Sequence, residues 1–286
     1  MLRRSWQESS INNEPQNQSQ DLFAQVVDAT KVAIDGAADA YRDTFDDFKR
    51  SLPSFDEVVH QAMRMPGAEV NRASYLTNAI GPKHDAYTVG VAIDTTPAKA
   101  GITDKEIARM AKHSIGVEAR RTTALSMAAG LPGGAAAAAT IPADLIQFYA
   151  HLIRMIQKLS YLYGWRDLVH IMGEDTDMAT ARALVMFLGV MAGDEQADKL
   201  LGNLAARRRA GESIENLRYS LCEKWGSAKV ESISLALGKR MAHRLTGQVA
   251  GKAVPVLGMV ISGGISFAGF GDMAKRLHRQ LKIHGA

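Results

Sequence analysis

Apolar residues recur every three or four positions over most of the chain, the spacing that places them on one face of an α-helix. The first such stretch begins at Asp21 and ends before Pro53. Only residues 87–93 (YTVGVAI) have strand character, and we expect them to form a loop or a fragment of strand. The pattern therefore predicts an all-α protein: a multi-helix bundle with a glycine-rich apolar C-terminal helical hairpin and a disordered polar N-terminus.

Residues that start and stop helices support this prediction. Ser54 with Glu57, and Thr103 with Glu106, have the spacing of a capping box, in which a hydroxyl and a carboxylate each bind a backbone amide. Further helices are predicted over residues 143–163, 176–191, 194–209, 213–224 and 228 to about 247, with Gly164 and Gly193 as stops.

The helix predicted over residues 143–163 has two distinct faces. Its apolar face comprises Leu145, Phe148, Leu152, Ile156, Leu159 and Leu162. Its polar stripe comprises Gln147, His151, Arg154, Lys158 and Tyr161. Successive members of the stripe are four, three, four and three residues apart, as one helical face requires.

An uncharged stretch of 22 residues, 122–143, precedes this helix. Its bulk is alanine, and a glycine-rich break divides it, so it is a poor candidate for a membrane span. We expect two short helices that meet at a hinge, with Pro142 in the first turn of the second. The hinge residues are Gly130, Pro132, Gly133 and Gly134.

Residues 253–271 form a second uncharged stretch, of 19 residues. Small residues four apart allow two helix backbones to approach closely, in lipid or in a soluble core. Three interpretations stay open: a helical hairpin in or on a bilayer, a glycine-lined contact in a soluble core, and a single span. The predicted packing residues are Gly247, Gly251, Gly258, Gly263, Gly264 and Ala268.

A basic amphipathic segment, residues 272–283, follows directly. Met273, Leu277 and Leu281 share one side, and basic residues occupy the rest. This arrangement is typical of a membrane surface, although it also caps soluble bundles. The side chains predicted to contact anionic lipid are Lys275, Arg276, Arg279 and Lys282.

Charge is unevenly distributed along the 286 residues, whose formal net charge is +4. Residues 1–70 carry 7 basic and 12 acidic side chains, whereas residues 239–286 carry 8 basic side chains and one acidic. This net charge is too small to indicate nucleic-acid binding, and we expect the Arg207–Arg209 run to be a solvated helix end.

We expect residues 1–20 to be a disordered leader without a secretion signal, and residues 21–286 to form a single domain.

Sequence motifs for catalysis are absent. The chain has no phosphate-binding loop, no nucleophile elbow, and no histidine pair spaced for metal binding on one helical turn, so we expect no cofactor and no metal. Its single cysteine, Cys222, excludes an internal disulfide framework. Asp144 lies where the helix dipole stabilises a carboxylate. As an alternative, it acts as an acid or base with His113 and His151.

With these segments identified, the chain resembles the EcsC family of bacterial proteins over roughly residues 70–286. The resemblance implies a helical protein. It also implies a membrane neighbourhood, because the family is named after an operon that encodes an ABC transporter. It implies no catalytic residues. The segments that carry it are residues 130–134 (GLPGG), 140–145 (TIPADL), 161–165 (YLYGW), 254–258 (VPVLG) and 263–264 (GG) with the basic end.

The sequence therefore predicts a non-enzymatic, peripheral protein of the cytoplasmic membrane surface. Its expected partner is membrane lipid or a membrane protein, with no nucleic acid, and homo-oligomerisation stays open. The alternative is a soluble helical protein that binds a lipid or small molecule, or a hydrolase, with a pocket near Gly130–Asp144.

Overall fold

The computed structural model of the protein describes residues 54–129, 135–171, 176–223, 228–237 and 255–285. For residues 123–129, 135–144 and 255–268 it describes the backbone alone. These residues form helices, a short 3-10 turn (Arg166–Leu168) and no strand, so the all-α prediction is confirmed for them. The predicted leader and the helix that begins at Asp21 lie outside the described residues.

The helices are numbered in chain order. They are α1 (Phe55–Arg64), α2 (Arg72–Ile80), α3 (Ala86–Asp94), α4 (Asp104–Ala129), α5 (Ala135–Leu162), α6 (Met178–Ala192), α7 (Glu195–Arg209), α8 (Ile214–Cys222), the described part of α9 (residues 228–237) and α10 (Pro255–His284).

The core lies where α4, α5, α6 and α10 meet. The long helix α10 packs along α4 and also contacts α5, α6 and α7. Helix α6 is apolar all round and buried from Ala183 to Met191, which is typical of a central helix. Phe187 and Leu152 are fully buried, and each such side chain contributes about 1.5–3 kcal/mol through burial.

Local signals at the helix ends are confirmed in most cases. The Thr103 capping box forms in both directions, because Glu106 binds the Thr103 amide while the Thr103 hydroxyl accepts from the Glu106 amide. The Ser54 box is half-formed: Ser54 accepts from the Glu57 amide, but the Glu57 carboxylate accepts from Gln61 instead. Two glycines end α5 and α6 with a left-handed backbone, namely Gly164 (φ +78°) and Gly193 (φ +74°).

Residues 87–93, predicted to be a loop or a fragment of strand, are helical as part of α3, so that prediction is wrong. Asp85 caps this helix by accepting from the Thr88 amide at 2.8 Å. Val89 and Ala92 are buried, and α3 packs on α2. Packing and the cap therefore outweigh the intrinsic strand preference of the β-branched residues.

Two predicted helix boundaries are also corrected. Helix α5 begins at Ala135, eight residues before the predicted start, so Pro142 lies inside the helix and not in its first turn. The alanine run before Pro142 is a strong helix former and extends the helix backwards. Helix α8 ends at Cys222, two residues earlier than predicted. The predicted hinge, residues 130–134, lies outside the described residues.

The apolar stretch and the basic segment near the C-terminus belong to a single helix, because α10 runs without a break from Pro255 to His284. The prediction of a hairpin within residues 253–271 is therefore wrong, because residues 255–271 belong to one unbroken helix. None of the helices among the described residues is both long and apolar enough to cross a membrane.

Candidate functional site

The polar stripe of α5 faces other parts of the protein. Lys158 and Tyr161 are buried, and the other three members are half-buried. Tyr161 donates from its hydroxyl to the Val70 carbonyl at 3.1 Å. The neighbouring Gln157 accepts from the Val70 amide at 2.9 Å and donates to the Ala68 carbonyl at 2.8 Å. Helix α5 therefore fixes the segment that leads into α2.

A fully buried carboxylate, that of Glu118 on α4, is the centre of a charged cluster. Its Oε1 accepts from His151 Nδ1 at 2.7 Å and from Arg154 Nε at 3.1 Å. Its Oε2 accepts from Lys158 Nζ. Arg154 also donates to the Gly67 carbonyl through Nη1. One acidic side chain thus holds two permanent cations and a histidine that are on the facing helix.

The pKa values of this cluster follow from burial and charge. Burial by itself raises the pKa of Glu118, but hydrogen bonds from His151 and Lys158 and the charges of Lys158 and Arg154 outweigh it and lower the pKa to about 2. Glu118 is therefore ionised at neutral pH, and His151 Nδ1 donates to it. Burial lowers the pKa of Lys158, while the charge of Glu118 raises it.

A cleft of about 650 Å³ opens beside this cluster, between α2 and α4. Helix α2 packs on α3 and α5 and stands off from α4, which leaves the space between them. The two walls meet at a hydrogen bond of 2.8 Å between the hydroxyls of Tyr75 and Ser114. Burial raises the pKa of Tyr75, so its hydroxyl stays protonated. At the outer end, His84 Nε2 lies 3.4 Å from Glu106 Oε1.

The inner end of this cleft is rich in positive charge. Arg121, Arg154 and Lys158 line it there, and Arg109 and Lys83 line it farther out. The carboxylates along the cleft are those of Glu69 and Glu106. Five cationic side chains therefore face the cleft against two acidic ones.

A smaller cavity of about 260 Å³ lies on the other side of the cluster. Its lining includes Glu118, His151 and Gln147. Arg121 and Arg154 line both this cavity and the larger cleft, so these two residues lie between the two spaces. The described residues that line the smaller cavity include no serine, threonine or cysteine as a nucleophile.

The structure describes the surroundings of two of the three residues predicted as alternative catalytic groups. His151 is bound to Glu118, whereas His113 is exposed and lines the larger cleft. Asp144 lies within α5, and its side chain lies outside the described residues. The described residues that line the two spaces belong to 65–121 and 147–158. The side chains of residues 130–144 lie outside the described part, so the pocket predicted near Gly130–Asp144 stays a prediction.

The basic segment of α10 presents its charges outward. Met273, Leu277 and Leu281 are buried in the core, while the four basic side chains predicted to contact lipid are exposed. Lys275 lies 3.5 Å from Asp272, and Arg276 donates to the Ala192 carbonyl at 3.1 Å. Met273, Leu277 and Leu281 are therefore covered by the protein, whereas Ile283 is exposed beside the cations.

The structure does not describe the side-chain surroundings of the six residues predicted to pack helices together near the C-terminus. Gly258, Gly263, Gly264 and Ala268 lie in α10, where only the backbone is described, and Gly247 and Gly251 lie outside the described residues. Their predicted packing role stays a prediction.

The Arg207–Arg209 run is not simply a solvated helix end. Arg207 forms a bidentate ion pair with Glu212, and the Arg208 guanidinium stacks 4.8 Å from the ring centre of Trp165. Trp165 lies three residues after the end of α5, and the local sequence around the run could not indicate this contact. Two of the three arginines therefore have structural roles.

Glu118 is the residue that sequence reasoning missed. It follows Ile107, Ala111 and Ser114 at spacings of four, three and four residues, so it lies on the buried face of α4. The available signal was a carboxylate on the apolar face of one predicted helix, together with a basic stripe on the helix that follows it in the sequence. Among the described residues, no group of three or more histidine, cysteine, aspartate or glutamate side chains is arranged to hold a metal ion.

No family model, no curated protein and no solved structure matches the chain. The resemblance to the EcsC family therefore stays a prediction.

Proposed function

We propose that the protein is a helical binding protein that takes a small anionic molecule at the inner end of the α2–α4 cleft. The observation that carries this proposal is an excess of positive charge: Arg121, Arg154 and Lys158 meet there around one buried carboxylate, Glu118. A cleft with apolar walls and convergent polar groups is the usual form of a small-molecule site.

The available donors support an anion as the ligand. Glu118 uses one proton of Lys158 and the Nε proton of Arg154, so both cations keep further N–H groups for a ligand. Arg121 forms no ion pair with any described residue, although it lines both spaces. Arginine in such a position binds carboxylate or phosphate with two parallel hydrogen bonds.

Binding is better supported than catalysis. His151 contacts the buried Glu118, but the described lining of its cavity offers no side-chain nucleophile. We therefore assign His151 to the cluster that orients Arg154 and Lys158, and we propose no reaction.

Inorganic phosphate is the simplest probe of this proposal. A ligand at ten times its Kd adds about 1.4 kcal/mol to the free energy of unfolding. We expect phosphate to raise the Tm of the protein more than sodium chloride of equal ionic strength does. The Arg121→Gln variant should lose most of this difference.

Arg120→Gln is the matched control. Arg120 directly precedes Arg121 on α4, is also exposed, and lines neither space. Its variant should respond to phosphate as the natural protein does. The proposal would be contradicted if phosphate and chloride raised the Tm of the natural protein equally. It would also be contradicted if Arg121→Gln and Arg120→Gln reduced the effect of phosphate on Tm by the same amount.

A second function is favoured by a separate observation, the exposed cations of α10. Arg279 and Lys282 are exposed, and neither forms an ion pair within the described residues. We propose that this surface contacts anionic head groups at the cytoplasmic membrane surface, near a membrane protein or lipid partner. Each basic residue near such a surface contributes about 1 kcal/mol.

Vesicle flotation tests this second function. We expect binding to vesicles with phosphatidylserine that weakens with salt, and at least about a 30-fold loss in the double variant Arg279→Glu, Lys282→Glu. Arg120→Glu serves as the charge-reversal control. Equally strong binding to neutral vesicles would contradict this second function, and so would a failure to bind phosphatidylserine vesicles at low salt.

A further inference from the structure

The floor of the α2–α4 cleft runs along one face of α4. Glu106, Met110, Ser114, Val117 and Arg121 all line it, at spacings of three or four residues. With 1.5 Å per residue, Glu106 and Arg121 are about 22 Å apart along the helix axis. The cleft is therefore elongated.

The volume of the cleft, about 650 Å³, leaves room for a ligand that extends along this length. Over about 22 Å, an extended chain of several carbon atoms fits.

Three cations gather at one end of the cleft, and apolar residues line its middle, while the other end has charges of both signs. The cations Arg121, Arg154 and Lys158 gather at the inner end, around Glu118. Apolar surface from Met110 and Val117 on α4 lines the middle, and Ala79 on α2 also lines the cleft. Both α4 residues are half-buried, so the cleft leaves part of their apolar surface uncovered.

We infer that the ligand is a single-chain anionic amphiphile, an inference that rests on the proposed anion-binding function. Its carboxylate or phosphate head lies against Arg121 and Arg154, and its unbranched apolar chain runs along α4 over Val117 and Met110. Burial of the chain drives binding, and the cations fix its direction.

Chain length provides the test. Hexanoate, octanoate and decanoate, each below its micelle concentration, are titrated into the full-length protein by calorimetry. We expect affinity to rise about tenfold for each two-carbon step. Decanol, which has the same chain without the charge, should bind at least about tenfold more weakly than decanoate.

Variants at the two ends of the ligand should have different effects. Val117→Gln and Met110→Gln should flatten the dependence on chain length, whereas Arg121→Gln should weaken all three carboxylates by the same factor. Leu235→Gln is the control, since Leu235 is an exposed apolar residue outside the cleft.

The two proposals fail in different ways. If phosphate and hexanoate bind but longer chains bind no more tightly, the amphiphile inference is overturned and the anion site stands. If decanol binds as tightly as decanoate, and phosphate has no effect, the anion site itself is overturned. A chain-length dependence that the Val117 and Met110 variants leave intact would place the apolar chain elsewhere and overturn the inference.

Discussion

Replacing Glu118 with glutamine is expected to lower the free energy of unfolding by about 3 kcal/mol. The carboxylate is fully buried and holds Arg154 and Lys158, the latter also buried. Removing one partner of a buried ion pair leaves the others without compensation, which typically costs 3–5 kcal/mol. The cavities beside the cluster admit water to the cations, which favours the lower end of that range. Urea unfolding at pH 7 measures the change.

Glu231→Gln is the control for this variant. Glu231 lies exposed on α9, so its replacement should change stability by less than about 0.5 kcal/mol. An effect of Glu118→Gln as small as that of Glu231→Gln would show that the cluster does not organise the site.

Acid is expected to remove the contribution that Glu118 makes to the free energy of unfolding. The pKa of Glu118 is lowered from 4.5 to about 2 in the folded protein, so the unfolded chain binds the proton more readily. The stabilisation is therefore complete above about pH 4.5 and is lost as the pH falls toward 2. A difference of about 2.5 pKa units corresponds to about 3 kcal/mol, close to the cost expected for the glutamine variant.

This dependence is measured as a difference between proteins. Other carboxylates titrate in the same range, so the unfolding free energy of Glu118→Gln is subtracted from that of the natural protein at each pH. We expect the difference to be largest near neutral pH and to shrink toward zero between pH 4.5 and 2. A difference that stays the same down to pH 2.5 would show that Glu118 is not held as an anion.

The helix ends were predictable because their signals are local. Thr103 and Glu106 are three residues apart and satisfy each other's amides without help from the rest of the chain. Gly193 takes a left-handed backbone that side chains resist, so its position marks a helix end. By contrast, residues 87–93 have intrinsic strand preference, and they are helical because they pack against α2 and because Asp85 caps the helix.

The site was only half predictable for the same reason. The spacing of His151, Arg154 and Lys158 placed them on one face of a helix, as the structure confirms. Their burial depends on Glu118, which lies between 33 and 40 residues away in the chain. Periodicity within one helix contains no information about the partner that a second helix brings to it.

The cluster also explains how a cationic site can be held in shape. The Glu118 carboxylate accepts hydrogen bonds from Arg154 and Lys158, and the Gly67 carbonyl accepts another from Arg154. Preorganised donors lose little entropy when a ligand arrives, so such support strengthens binding. The buried carboxylate thus costs desolvation energy and in return orients the donors that face the cleft.

A crystal structure of the protein grown with selenate, whose selenium scatters anomalously, would locate a bound anion directly. We expect an anomalous peak at the inner end of the α2–α4 cleft, within hydrogen-bonding distance of Arg121 and Arg154. Selenate bound only on the exposed cations of α10, with the cleft free of it, would contradict the assignment of this cleft as an anion site.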